Sequence, residues 1–164
     1  MKAPAAPRVR FRTTEGAALS TPDVVARGRG LPVLLVFFKT SCPVCQLTWP
    51  YLERLHLSYG SKAVHVLGVS QNDAASSRAY YAEHGGATFD LILDPEPAFA
   101  ASNAFGVESV PHLVLLSAEG RIEDVFAGWS KAGMEALGRQ FAAKNVPFMP
   151  IVPPGDPVRD SAPG

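Results

Sequence analysis

The stretch Phe37-Phe38-Lys39-Thr40-Ser41-Cys42-Pro43-Val44-Cys45 holds both cysteines of the 164-residue chain and lies where an apolar run gives way to a helical pattern. Upstream, Leu31-Pro32-Val33-Leu34-Leu35-Val36-Phe37-Phe38 is near-continuously apolar, the signature of a strand buried on both faces of a sheet. Downstream, Val44, Leu47, Tyr51, Leu55 and Tyr59 recur at three- and four-residue spacing up to Gly60, which predicts a helix of about five turns. Pro50 falls inside it and predicts a kink near Cys45 to Leu47. Cys42 is thus expected at the C-terminal end of a central strand and on the first turn of a helix. There, unpaired backbone N–H groups and the positive end of the helix dipole favour thiolate, the nucleophilic form of a cysteine.

Working outward, Val9 and Phe11 alternate with arginines as in a short edge strand, and Thr21-Pro22-Asp23 starts a helix over Pro22 to Arg27 that Gly28 stops. Val64 to Val69 predicts a second buried strand, followed by a helix capped at Asn72 or Asp73 and running through Glu83 to Gly85. Phe89 to Leu93 predicts a strand, and Asp94-Pro95 caps a helix up to Gly106. Leu113 to Leu116, a turn at Glu119-Gly120, and Ile122 to Ala127 read as an antiparallel ribbon. Ser130 caps a last helix with Met134, Leu137 and Phe141 facing inward. Alternating strands and helices with long connections imply an α/β fold, a central mixed sheet with helices on both faces. Residues 9–144 are expected to form the domain, with a flexible N-terminus over 1–8. Six prolines after Asn145 make 145–164 a Pro-rich tail, expected to be disordered on the surface unless Phe148, Met149 and Ile151 lay it down.

Composition narrows the function classes. At 47% hydrophobic the chain can build one substantial core, and fifteen basic residues balance fifteen acidic ones, so there is no electrostatic footprint for nucleic acid or an anionic membrane. No apolar stretch approaches the roughly 18 residues of a membrane span and no apolar leader precedes a cleavage site, so a cytoplasmic monomer without membrane association is expected. Two cysteines are too few for a disulfide scaffold. A zinc site would need two more ligands, yet His56, His65, His84 and His112 have no ligand-like spacing, so no metal is assigned. A single C-x-x-C then points to redox chemistry, with Cys42 attacking and Cys45, one turn further in, resolving. Lys39 raises the local positive charge if it turns toward the sulfur, and Thr40, Ser41, Pro43 and Val44 are expected to modulate the pair. His65 and the outward strand residue His112 are read as structural, Trp49 and Trp129 as packing residues, and Gln71-Asn72-Asp73 as helix capping.

Three segments carry a resemblance: Val33 to Cys45, Phe105-Gly106-Val107-Glu108-Ser109-Val110-Pro111, and Gly120 to Gly128. In order and spacing they resemble the thioredoxin-like superfamily, in its TlpA/ResA-type thiol-disulfide oxidoreductase branch bordering the AhpC/TSA redoxins. The resemblance implies a cis Pro111 facing the dithiol, a Val110 backbone that pairs with the substrate peptide, protein or small-molecule disulfides as substrates, an external dithiol as electron donor, and no cofactor beyond the Cys42–Cys45 disulfide. Thioredoxins carry a Trp just before the first cysteine and a buried Asp six residues before it. Ser41 and Val36 stand there, so proton transfer falls to Glu108, Lys39 or water. Peroxiredoxins carry a proline and a hydroxyl residue where Leu35 and Lys39 stand. A thiol peroxidase of the AhpC/TSA kind is therefore the alternative, and a thiol-based copper or haem-maturation chaperone a further one.

Overall fold

The computed structural model describes residues 3–144 and 146–164, so Met1, Lys2 and Asn145, part of the expected N-terminus and tail, lie outside the described residues. The elements are β1 (Arg10–Arg12), β2 (Ala18–Ser20), α1 (Thr21–Ala26), β3 (Val33–Phe38), α2 (Pro43–Tyr59), β4 (His65–Ser70), α3 (Ala74–Glu83), β5 (Asp90–Leu93), α4 (Ala100–Ala104), β6 (His112–Leu116), β7 (Ile122–Ala127), β8 (Trp129–Ser130), α5 (Lys131–Ala142) and β9 (Ser161–Ala162). Seven strands form one mixed sheet in the order β2-β1-β5-β4-β3-β6-β7.

β3 lies in the interior of that sheet, next to the middle strand β4, as its six apolar and buried residues require. It pairs parallel with β4, Val33 opposite His65 through Phe38 opposite Ser70, and antiparallel with β6, Val33 opposite Leu116 through Phe37 opposite His112. Successive side chains on a strand leave on opposite faces, so Phe37 and Phe38 serve two layers. Phe38 packs on Trp49 of α2 (4.2 Å between ring centroids) and on Tyr80 of α3 (5.1 Å), whereas Phe37 meets Phe105, just past α4, at 5.5 Å. Helices therefore cover both faces, as the alternating pattern predicts. α2 runs unbroken from Pro43 to Tyr59, so Pro50 does not interrupt it. The inward residues of α5 are Met134, Leu137 and Phe141, capped by the Ser130 hydroxyl, which accepts the Gly133 N–H.

Some local expectations give way to longer-range contacts. β1 is not the edge: Thr13 to Ala17 turn the chain back, and β2 pairs outside it. The cap of α1 is Ser20 rather than Thr21, forming a reciprocal capping box with Asp23. The Thr21 hydroxyl instead donates to the Pro7 carbonyl (2.7 Å) and accepts the Val9 N–H (3.0 Å). α4 is only five residues long. Its N-cap is Phe99, not Asp94, because the residues after Pro95 form an irregular loop; the Asp94 carboxylate reaches across that loop to accept the N–H groups of Ala101 (2.9 Å) and Ser102 (2.7 Å) in the first turn.

Both terminal segments are packed where they are described, from Ala3 onward and from Val146 onward. Ala6 N–H donates to Gly120 and Ile122 N–H to Pro4, which docks the N-terminal segment on the β6–β7 turn. The tail, expected to be disordered, buries Ile151, Val152 and Ala162 and adds β9 antiparallel to β8. The prolines keep it extended, and buried aliphatic residues between them hold it down. Phe148 and Met149 stay exposed.

His65, at the start of β4, pairs with Asp90. Its Nε2 lies 2.9 Å from Asp90, which also accepts the Arg27 guanidinium at 2.7 Å. Burial alone would raise the Asp90 carboxyl, but the hydrogen bonds from His65 and Arg27 outweigh it and hold the group below its ordinary value. A depressed carboxyl contributes stability that is present above its unfolded value and lost as pH falls through the folded one. Asp90→Asn is therefore expected to cost about 1–3 kcal/mol near neutrality and to flatten the acid limb of a urea-midpoint against pH profile, leaving the two proteins closer in stability at the acid end.

Candidate active site

Cys42 is the residue at which β3's exit becomes α2. Its extended backbone (φ −87°, ψ 113°) makes it the N-cap, and Pro43 at the first helical position supplies a preset φ where no N–H is needed. In an N-cap the side chain normally accepts a first-turn N–H through oxygen. Here sulfur does so: Cys45 N–H donates to Cys42 Sγ at 3.1 Å. Cys42 Sγ in turn lies 3.3 Å from the carbonyl of Val110, as donor. Both cysteines are free thiols, Cys42 half-buried and Cys45 buried.

That difference in burial sorts the two sulfurs. Loss of hydration, and after it the adjoining Cys42 sulfur, push the Cys45 thiol up, with a backbone hydrogen bond at Lys39 opposing them. Cys45 is held as a thiol behind an accessible Cys42.

The Val110–Pro111 peptide is cis, as the resemblance implies, and it brings Val110 against Cys42 from the loop before β6. Thr40 is fixed from two sides, its N–H donating to Asn72 Oδ1 (2.9 Å) and its carbonyl accepting the Gln46 side chain (3.2 Å). Lys39 is exposed, and its link to the motif is its carbonyl, which accepts the Cys42 N–H at 3.2 Å. Ser41 and Pro43 are exposed and Val44 is half-buried. Glu108 is exposed two residues before Val110. Val36 is buried in mid-sheet between Gly68 and Leu113, so no ionisable side chain stands there. His112, expected to face outward, is buried, its ring edge-on to Phe37 at 6.3 Å. Burial lowers its affinity for a proton.

The structure adds residues that sequence reasoning passed over. Asn72 is not a helix cap, since Asp73 performs that role for α3; Asn72 holds the backbone of the motif. Its signal was its place just beyond the C-terminal end of a parallel strand, where open α/β sheets carry their sites. Tyr80 carried no such signal. Its hydroxyl is buried without a hydrogen-bond partner among the described residues, as is Trp49 Nε1, and the two rings meet edge-on at 5.1 Å one helical turn beyond Cys45. Burial first, and then the nearness of the Cys45 and Cys42 sulfurs, push the Tyr80 hydroxyl up. Among the described residues no group of three or more His, Cys, Asp or Glu side chains is placed to hold a metal ion.

The chain is 29% identical over 100 residues to the thiol-disulfide oxidoreductase ResA of Geobacillus thermodenitrificans, a match covering 61% of this chain and 56% of that protein. It spans under two thirds of the length of that relative. Its fold matches a structure assigned as the thiol:disulfide interchange protein DsbE of Chlorobium tepidum, with a TM-score of 0.71 and 23% identity over 88% of this chain and 97% of the other. It also matches a secreted disulfide oxidoreductase of Mycobacterium tuberculosis, with a TM-score of 0.61 and 21% identity over 82% and 94%. The expectation of a cytoplasmic protein is overturned by these relatives, the Mycobacterium tuberculosis oxidoreductase being a secreted protein. That expectation leaned on a missing apolar leader, and an absence carries no information about compartment. The AhpC/TSA family profile matches residues 3–125, three quarters of the chain with the dithiol, the cis-proline and most of the closing hairpin inside it, and the chain belongs to the AhpC/TSA family.

Proposed function

We propose that the chain is a thiol-disulfide oxidoreductase in which Cys42 is the nucleophile and Cys45 the resolving thiol. The observation that carries this reading is the half-buried Cys42 Sγ at the α2 N-cap, accepting the Cys45 N–H and lying 3.3 Å from the Val110 carbonyl. Cys42 thiolate attacks one sulfur of a substrate disulfide, forming a mixed disulfide and releasing the other sulfur as thiolate. Cys45 then loses its proton to water and attacks Cys42 Sγ. The Cys42–substrate bond breaks, the substrate leaves as a second thiolate, and the two electrons of the dithiol have passed to it. An external dithiol reverses the Cys42–Cys45 disulfide. No further cofactor enters this scheme, and protein disulfides are the substrates proposed. Val110 and Pro111 are the residues proposed to hold the substrate beside Cys42.

Family membership makes the thiol peroxidase the competing reading, and one comparison separates the two. Reduced protein is mixed with insulin or a small disulfide in one arm and with hydrogen peroxide in the other. Rapid exchange with disulfides and sluggish peroxide consumption is the expected result. Fast, saturable sulfenate formation at Cys42, with slow exchange, would overturn the proposal in favour of the peroxidase.

A further inference from the structure

The end of the tail lies at the same carbonyl as the candidate nucleophile. After Val146 the tail is clipped to α2: the Tyr59 hydroxyl bonds the backbone of Met149, Arg54 donates to the Ile151 carbonyl (2.7 Å), and the Tyr51 hydroxyl donates to Asp156 (2.8 Å). It then follows the end of the sheet. Trp129 Nε1 donates to the Arg159 carbonyl (2.6 Å), Lys131 N–H to the Asp160 carbonyl (2.8 Å), and β9 pairs with β8. From there it reaches Val110. A Cβ placed on Gly164 would stand 2.5 Å from the Val110 carbonyl oxygen and 3.1 Å from Ser109 Oγ, and one on Gly128 would meet the Ala162 carbonyl. Only glycine allows either approach.

Any group in disulfide linkage with Cys42 must lie beside Val110, because Cys42 Sγ is 3.3 Å from its carbonyl. Yet Val110 is only 8% exposed, while Cys42 remains half-buried. Among the described residues the Val110 N–H has no backbone partner, so this edge has pairing capacity left but little room. A compact disulfide has a route to the sulfur that an extended strand seeking the Val110 backbone lacks.

We propose that residues 159–164 are a specificity-determining strap: they occupy the place beside Val110 in which a substrate polypeptide would lie, so that small disulfides react past the strap and an extended polypeptide reacts by displacing it. This rests on the oxidoreductase reading of the dithiol. The strap acts by steric occupation and changes no step of the exchange itself.

Two variants test it. Deleting Pro163 and Gly164 clears Val110 while leaving β9 paired, and Gly164→Val places side-chain atoms against the Val110 carbonyl and drives the strap off. Each is compared with the full chain in its rate of oxidation by glutathione disulfide and by a ten-residue extended peptide carrying a mixed disulfide, after thermal unfolding has shown the fold intact. The peptide rate is expected to rise about fivefold to tenfold, the worth of roughly one hydrogen bond that the peptide backbone gains at the cleared Val110, with the glutathione rate essentially unchanged. Equal acceleration of both, no change in the peptide rate, or a fall in it would overturn the strap. Absence of exchange with either disulfide in every form, while Cys42 still alkylates, would instead sink the oxidoreductase reading and the strap with it.

Discussion

Replacing Cys45 with alanine is expected to turn the protein into a trap. Cys42 keeps its half-buried position, the helix dipole and the backbone N–H of residue 45, so attack on a disulfide proceeds. With the second thiol gone nothing intramolecular can displace the substrate, and the mixed disulfide accumulates as a covalent adduct of one substrate per chain by mass spectrometry. Turnover is expected to fall on the order of 10³-fold or more, and Cys42→Ala by at least as much, since the two sulfurs act as a unit. The variants differ in the adduct: Cys45→Ala accumulates it and Cys42→Ala does not. Were Cys42→Ala to accumulate the adduct instead, the roles assigned from burial would be reversed.

Asp94→Ala is the substitution with the largest expected effect on stability. The Asp94 carboxylate is 1% exposed and accepts three hydrogen bonds, from the N–H groups of Ala101 and Ser102 and from the Ser102 hydroxyl at 2.6 Å. Ser102 Oγ also accepts the Gln71 side chain at 2.8 Å, which ties the segment after β5 to the end of β4. Alanine would leave two N–H groups of a helix start and a hydroxyl unpaired in the interior. The expected loss is about 3–5 kcal/mol, because stranding buried partners costs more than the net worth of the bonds. Asp94→Asn keeps one acceptor oxygen and should cost about half as much, again on the scale of single buried hydrogen bonds. α4 leads through Phe105 and Val107 into Val110, so the alanine variant should also slow disulfide exchange. Urea unfolding followed by Trp fluorescence measures the first effect and a stopped-flow exchange assay the second. A loss below about 1 kcal/mol would mean that water replaces the carboxylate and that the site is less closed than its burial implies.

Asp94 also marks the boundary of what can be read along the chain. Residue type announces a helix cap there, but the N-cap position falls on Phe99, and the carboxylate serves the helix start from outside it, through partners seven and eight residues away beyond an irregular loop that local pattern does not describe. Thr21 was misplaced for the opposite reason: Ser20 and Thr21 are both good caps, and only the docking of Pro7 and Val9 decides which hydroxyl is used elsewhere. β2 carried no alternation strong enough to identify it. The tail's prolines concealed buried aliphatics whose partners are more than 90 residues upstream. The outward face expected for His112 does not hold, because a strand of five buried residues gives no period from which to choose a face.

The central strand, the dithiol helix and the order of the α/β elements were legible because they rest on local physics: apolar runs, helical spacing, and a proline at a helix start. The pair Cys42 and Cys45 was legible for the same reason, since four consecutive residues on one turn bring their ends together in any helix. What only the tertiary structure decided is what faces that pair. Val110 comes to Cys42 from 68 residues away, Asn72 to Thr40 from 32, and Tyr59 holds Met149 across 90. Contacts at such separations arise from burying both faces of the sheet and from satisfying buried donors, and neither requirement leaves a local mark on the chain. The sequence by itself therefore determined that this protein carries a dithiol at the head of a helix on a central strand. Its fold decided that the dithiol looks onto the Val110 carbonyl, and that the chain's own tail is already there.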